Sequence, residues 1–231
     1  MKTVAIIPAG GTGERMGGAL PKQYLALAGT PILVHTLRIF QDSPFIDEIV
    51  VAVPKGDVTD VRKNIVEPYG LTKVSSIIGG GRQRQDSVRN ALHSVSGEAE
   101  IIVVHDGVRP LVTGALIEKV VRMAGELGAV VVGVEINDTV KRVNAEGKIA
   151  QTMPRDSLRL SQTPQAFRRE VLVEAYRRAY EDGFYGTDDA LLVEKMGVSV
   201  WMVPGDRNNI KVTTEEDLIF CETFLRNREN F

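Results

Sequence analysis

With 231 residues, 43% of them apolar and 25% charged, the chain is long enough to bury roughly 70 to 75% of its unfolded surface, and one domain over residues 1–231 is expected. Its 28 basic and 30 acidic residues leave a net charge of −2, which excludes a global field drawing the protein onto nucleic acid or a membrane surface. An anionic ligand must therefore be met by local groups. The single cysteine, Cys221, cannot form an internal disulfide and reads as a small core residue in a reducing compartment. The apolar stretch Val4 to Ala9 is too short for a signal-peptide core or a membrane span, so a cytoplasmic location is expected.

In chain order, the first apolar run is Val4 to Pro8, followed by a glycine-rich loop and a helical pattern from Pro31 to Phe40, with Pro31 suited to the first helical position. A second run, Ile49 to Val53, and an apolar segment, Val74 to Ile78, lead to Gly79-Gly-Gly81 and a helical pattern from Gln85 to Val95. Ile101 to Val104, a helix from Gly114 to Leu127 and Ala129 to Val134 continue the alternation. After a polar interlude come helices over Arg169 to Glu181 and Glu215 to Arg226, the latter capped from Thr213-Thr214, with the run Val198 to Val203 between them. Short apolar runs of this kind read as strands buried on both faces. Their alternation with helices predicts a Rossmann-like α/β fold, a mostly parallel sheet with helices on both faces. Ligands then collect where strands end and loops begin.

The interlude, residues 138–152, breaks the rhythm. Asn144 and Gly147 occupy the first and fourth positions of a type I turn between two polar flanks, which predicts a hairpin projecting from the core. On residues alone, a solvated surface hairpin is an equal reading.

The strongest chemical signal is Pro8-Ala-Gly-Gly-Thr-Gly-Glu-Arg-Met-Gly17 with Pro21-Lys22-Gln23 after it. Glycines let backbone N–H groups point at phosphate oxygens, and Arg15 and Lys22 add positive charge, so this is a triphosphate cradle in outline. It lacks the third glycine of a dinucleotide fingerprint, where Met16 stands, and the Gly-Lys-Ser/Thr ending of a Walker A loop. The bland alternative, a ligand-free turn, leaves Arg15 and Lys22 unexplained. Gly79-Gly-Gly81 would let a flat base approach the backbone, while Asp86 or Ser87 caps the helix that follows. His105-Asp106-Gly-Val-Arg109-Pro110 ends a strand, placing Asp106 at the ligand-bearing edge as a candidate magnesium ligand, with capping of the next turn as the competing role. Arg109 would face an anionic acceptor, and His105 reads as a near-core histidine. Arg155, Thr163-Pro-Gln165, Thr187-Asp188 and Asn208 to Thr213 supply further donors, with Lys211 in a short strand.

Together these segments resemble the 2-C-methyl-D-erythritol 4-phosphate cytidylyltransferase family, CTP-dependent enzymes of the non-mevalonate isoprenoid pathway. Five motifs in order carry the resemblance: Pro8 to Gly17 with Pro21-Lys-Gln23, His105-Asp106 with Arg109-Pro110, Thr163-Pro-Gln165, Thr187-Asp188 and Asn209-Ile-Lys211-Val-Thr213. The resemblance implies a CTP site formed by Pro8, Ala9, Gly10, Gly11 and Gly13 with Gly81, Ser87 and Gly107 around cytosine and ribose. It implies an acceptor pocket of Asp106, Arg109, Thr139, Thr163, Thr187 and Lys211, with Arg155 supplied by a second subunit through an exchanged hairpin arm in a homodimer. Arg15, Lys22, Arg155 and Lys211 would be catalytic, and Asp106 would hold Mg2+. Two departures stand out: Gly107-Val108 replace alanines common after the strand-end aspartate, and Asn208 stands where some members carry a second aspartate, which Asp206 replaces only if the loop bends. Three rival readings are the same chemistry on D-ribitol 5-phosphate, a guanylyl- or uridylyltransferase, and a nucleotide-binding module without catalysis.

Overall fold

The computed structural model describes residues 1–11 and 21–228, apart from the side chain of Arg228. The strands, in chain order, are β1 (Thr3–Pro8), β2 (Ala26–Leu27), β3 (Thr30–Pro31), β4 (Glu48–Val53), β5 (Val74–Gly79), β6 (Ile101–Val104), β7 (Ala129–Glu135), β8 (Lys141–Val143), β9 (Ile149–Thr152), β10 (Arg159–Arg168) and β11 (Trp201–Pro204). The α-helices are α1 (Ile32–Asp42), α2 (Val58–Val61), α3 (Arg84–Ser94), α4 (Gly114–Leu127), α5 (Arg169–Glu181), α6 (Asp189–Lys195) and α7 (Glu215–Arg228).

Seven strands form one sheet in the order β11-β7-β10-β6-β1-β4-β5. Only β10 runs antiparallel, pairing with β6 on one side and β7 on the other, and the remaining ladders are parallel. The expected α/β architecture is therefore present. Alternate residues of each strand enter opposite faces. Ala5, Ile7, Val51 and Val103 pack with α1 and α4, whereas Val4, Ile6, Val50 and Ile102 pack with α3, α5 and α6. A third cluster, Leu27, Ile32, Val108, Leu111, Val212 and Cys221, seats α7, and Cys221 is a buried free thiol there.

Several local expectations need correction. Pro31 is the N-cap of α1 rather than its first helical residue, because its extended ψ of 139 pairs it with Ala26 in the small β2–β3 ribbon. The run from Val198 enters the sheet only at Trp201, and as the edge strand it leaves Trp201 and Met202 exposed instead of burying both faces. Lys211 lies outside any strand, although Val212 N donates to Val108 O at 2.9 Å. The hairpin strands begin at Lys141, three residues later than expected, and pair Lys141 with Thr152 across a turn closed by Gly147 N donating to Asn144 O at 3.1 Å. Gly147 takes φ +81, which a side chain would disfavour. Capping at α7 is as expected: Thr214 Oγ1 accepts from Asp217 N, and the Asp217 carboxylate accepts from Thr213 N and Thr214 N.

Five elements were not anticipated: the two strands of the β2–β3 ribbon, the short α2, α6, and the ten-residue β10 that lies inside the sheet between β7 and β6. The register of β10 against β7 shifts between Gln162 and Gln165, a bulge that accommodates Pro164, which has no N–H to give a ladder. Its buried polar side chains find other partners. Gln165 Nε2 donates to Asp188 Oδ2 at 2.8 Å, and Gln162 Nε2 donates to Asp206 O at 2.9 Å.

Candidate active site

Because β1, β4, β5 and β6 are parallel, their C-terminal ends open on one edge of the sheet, and a cavity of about 580 Å³ lies there. The end of β1 supplies Pro8, Ala9, Gly10 and Gly11, and a short turn at Lys22–Tyr24 supplies Lys22. Gly81 and Ser87 come from the loop and helix after β5, Asp106 from the end of β6, and Lys211 from the segment before α7. Nine of the residues singled out in the sequence thus share one cavity. Gly13 and Arg15 lie outside the described residues.

Close approach demands glycine at Gly80 and Gly81 rather than at Gly10 or Gly11. A Cβ at Gly10 would lie 3.4 Å from Ser87 Oγ, and one at Gly80 would meet the same oxygen at 2.8 Å, so Ser87 fills the space between the two loops. Ser87 Oγ also accepts from Gly81 N at 3.1 Å and donates to Gln83 O at 3.1 Å. Helix capping falls to Asp86, whose carboxylate accepts from Gln83 N at 2.9 Å. Gly107 faces inward: a Cβ there would meet Ala9, Leu33 and Ile7 at 3.0 to 3.3 Å. Its neighbour Val108 lines the cavity instead.

Asp106 is the electrostatic centre. Arg84 Nε donates to its Oδ1 at 2.9 Å, while Lys211 Nζ and Arg109 Nε approach Oδ2 at 3.0 and 3.4 Å. Burial pushes this carboxyl up, but Arg84, Lys211 and Arg109 together hold it far below the usual carboxylate range. Its carboxylate is therefore committed to cations rather than to capping a turn. Thr163 fixes the backbone, its Oγ1 accepting from Asp106 N at 3.0 Å. His105 is fully buried between Thr163 Oγ1, 3.1 Å from Nδ1, and Arg109 O, 3.2 Å from Nε2. Burial pushes its imidazole down to about 3, which keeps it neutral and structural.

Arg109 stands behind Asp106 and donates to Asn209 O at 2.7 Å. Thr187 is exposed immediately before the N-cap of α6. Thr139 and Arg155 lie on exposed chain away from the cavity, and the Arg155 guanidinium donates to Asn137 O. Within one chain, then, the structure does not bring these last three to the cavity lining.

Among the described residues the lining carries five cationic side chains, Lys22, Lys55, Arg82, Arg84 and Lys211, against the single carboxylate of Asp106. Such a focus of positive charge suits a polyphosphate. Lys55, Arg82 and Arg84 were missed in the sequence. Arg84 left a readable trace: it opens α3, where the helix dipole disfavours a cation, so an acidic partner had to exist. Asp189 is that second partner, 1% exposed, with Arg84 Nη1 donating to Oδ2 at 2.7 Å and Tyr176 OH to Oδ1 at 2.5 Å.

Among the described residues no group of three His, Cys, Asp or Glu side chains gathers as a metal cage. One carboxylate facing a polyphosphate cavity nevertheless fits magnesium, which is held mainly by water and phosphate oxygens. Asp206 is not part of that lining, and its Oδ1 accepts from Asn208 N at 2.8 Å. No helix among the described residues is long and apolar enough to cross a membrane.

Comparison with known proteins agrees with this geometry. The family model described as IspD, 2-C-methyl-D-erythritol 4-phosphate cytidylyltransferase, matches residues 3–227. A relative of that name from Syntrophus aciditrophicus is 51% identical over 228 residues, covering 99% of this chain and 97% of the relative. Another from Geobacter metallireducens is 44% identical over 231 residues, covering 99% of each. Among solved structures, the 4-diphosphocytidyl-2C-methyl-D-erythritol synthase of Anaerococcus prevotii superposes with a TM-score of 0.86 at 31% identity, covering 97% of this chain and 96% of that one. The 2-C-methyl-D-erythritol 4-phosphate cytidylyltransferase of Thermus thermophilus gives 0.79 at 32% identity, covering 98% and 100%. Matched along almost its whole length, the chain belongs to the 2-C-methyl-D-erythritol 4-phosphate cytidylyltransferase family.

Proposed function

We propose that this protein transfers a cytidylyl group from CTP to 2-C-methyl-D-erythritol 4-phosphate, releasing pyrophosphate and 4-diphosphocytidyl-2-C-methyl-D-erythritol. The observation that carries the reading is the cavity at the strand ends, where the glycine loop, Lys22, Asp106 and Lys211 converge. The phosphate monoester of the acceptor is already anionic near neutral pH, so it attacks the α-phosphorus without a general base. The new P–O bond forms in line with the bond breaking to the β-phosphate, whose electron pair leaves with pyrophosphate.

Repulsion between two anions is the main obstacle, which makes positioning and electrostatic stabilisation the work of the chain. The backbone of Ala9 to Gly13 and the cations Arg15 and Lys22 hold the triphosphate and the departing pyrophosphate. Gly81 and Ser87 border the base and ribose, while Gly107 faces the core and leaves that wall to Val108. Lys211 holds the attacking phosphate, Arg109 and Thr163 support Asp106 from behind the lining, and Thr139 and Thr187, which lie off the lining within one chain, are assigned to the acceptor pocket by family resemblance alone. Asp106 holds magnesium, which when bound supplies positive charge to the phosphate oxygens. Release of pyrophosphate from CTP with each of the two polyol phosphates, and from UTP and GTP as competitors, tests the assignment. Methylerythritol phosphate with CTP is expected to dominate. Preference for ribitol 5-phosphate or another base overturns the named substrates, and CTP binding without pyrophosphate release overturns catalysis.

The same reading makes the protein a cytoplasmic homodimer of single-domain subunits, with Arg155 and Thr139 delivered by the arm. Supporting this, the arm exposes Val143 and Ile149, each more than half accessible, on strands with no core of their own. Sedimentation at working concentration should give a species of twice 25.3 kDa. A monomer with full activity removes Arg155 from the site.

A further inference from the structure

Arg84 joins the cavity to the fold behind it. We infer that Arg84 is a positioning residue that reserves Oδ1 of Asp106, so that Oδ2 is the oxygen presented to the magnesium-bound triphosphate. The inference rests on the reading of Asp106 as the metal-facing carboxylate.

Three observations carry it. First, the two oxygens of Asp106 are divided: Oδ1 receives Arg84 Nε at 2.9 Å, and Oδ2 faces Lys211 at 3.0 Å and Arg109 at 3.4 Å. Arg84 and Lys211 both line the cavity, but Arg84 is 27% exposed and also bonded to Asp189, whereas Lys211 is 39% exposed, so Lys211 is the cation a ligand can displace and Oδ2 the side it enters. Second, Arg84 is itself anchored. Its Nη1 donates to the buried Asp189, which the Tyr176 hydroxyl holds from the opposite side, tying α3, α5 and α6 to the end of β6. Third, the location is costly. Arg84 is the first residue of α3, where the dipole opposes a cation, and its buried Nη2 has no hydrogen-bond partner among the described residues. A planar guanidinium fixes two carboxylates at a set angle, which a lysine ammonium, a single point charge, does not.

The test begins with wild-type protein releasing pyrophosphate from CTP and acceptor, which checks the underlying reading by itself. Arg84→Lys is then compared for turnover, for CTP affinity by calorimetry without metal, and for Mn2+ binding in the presence of CTP by electron paramagnetic resonance. The expected result is at least a thirtyfold loss of kcat and at least a fivefold weaker Mn2+ affinity, with metal-free CTP affinity changed less than threefold. Turnover within threefold of wild type, unchanged Mn2+ affinity, or CTP affinity falling in step with turnover each overturns the inference. If Arg84→Lys does not fold, Tyr176→Phe carries the test through the same anchor. It should weaken Mn2+ binding at least twofold with CTP affinity unchanged, and an unmoved Mn2+ affinity overturns the inference.

Discussion

Asp106→Asn is expected to lower kcat by about a thousandfold, equivalent to roughly 4 kcal/mol of transition-state stabilisation, while costing about 2 kcal/mol of folding stability. The change keeps the shape of the side chain and removes its charge. Among the described residues Asp106 is the only carboxylate on the cavity lining, so the cations around it, Arg84, Lys211 and Arg109, lose their shared counter-ion and the metal loses its protein oxygen. The stability cost stays moderate because each cation has another outlet: Arg84 keeps Asp189, Arg109 keeps the Asn209 carbonyl, and Lys211 is 39% exposed. The sign of the pH effect follows from the depressed carboxyl. In the wild type its contribution is complete above the unfolded value of 3.8 and declines as pH falls below that, whereas the asparagine variant lacks this dependence. Single-turnover kinetics and urea melts at several pH values measure both effects. Turnover within tenfold of wild type would remove Asp106 from the chemistry.

Lys22→Ala should cost on the order of 2 to 4 kcal/mol in the transition state, or about 30- to 1000-fold in rate. Lys22 opens the short turn after the glycine loop and reaches the same cavity as Gly10 and Gly11, the side assigned to the leaving pyrophosphate. Charge on that group grows only as the bond breaks, so the loss should fall on kcat more than on CTP affinity. A steady-state turnover within threefold of wild type rules out the role. A loss confined to KM reassigns Lys22 to ground-state binding.

What could be read in advance followed from locality. The parallel strands announced themselves because both faces of Val4 to Pro8 or Ile101 to Val104 are apolar, and Asp106 was found because it follows such a strand directly. Strand β10 escaped for the opposite reason. Its sequence is mostly polar with Pro164 at its centre, and its place in the sheet rests on a bulge and on side-chain bonds to Asp188 and Asp206 that no periodicity announces. Arg84 escaped because its partners are 22 and 105 residues away in the chain. The arm presents a third case: its turn chemistry was legible from Asn144 and Gly147, but the exposed bonding of Arg155 to Asn137 says nothing of a neighbouring subunit.

The strand order has a consequence for how specificity in this family can change. Strand β1 lies between β4 and β6, so the loops at Pro54-Lys55 and Gly79 to Gln83 are on one flank of it, and Asp106, Thr163 and Lys211 are on the other. On the proposed reading, the choice of base and the choice of sugar alcohol are written in separate backbones that meet at the glycine loop and at the Arg84–Asp106 pair. A substitution that retunes one recognition half leaves the ladder beneath the other untouched, so new acceptors can be explored without surrendering the nucleotide.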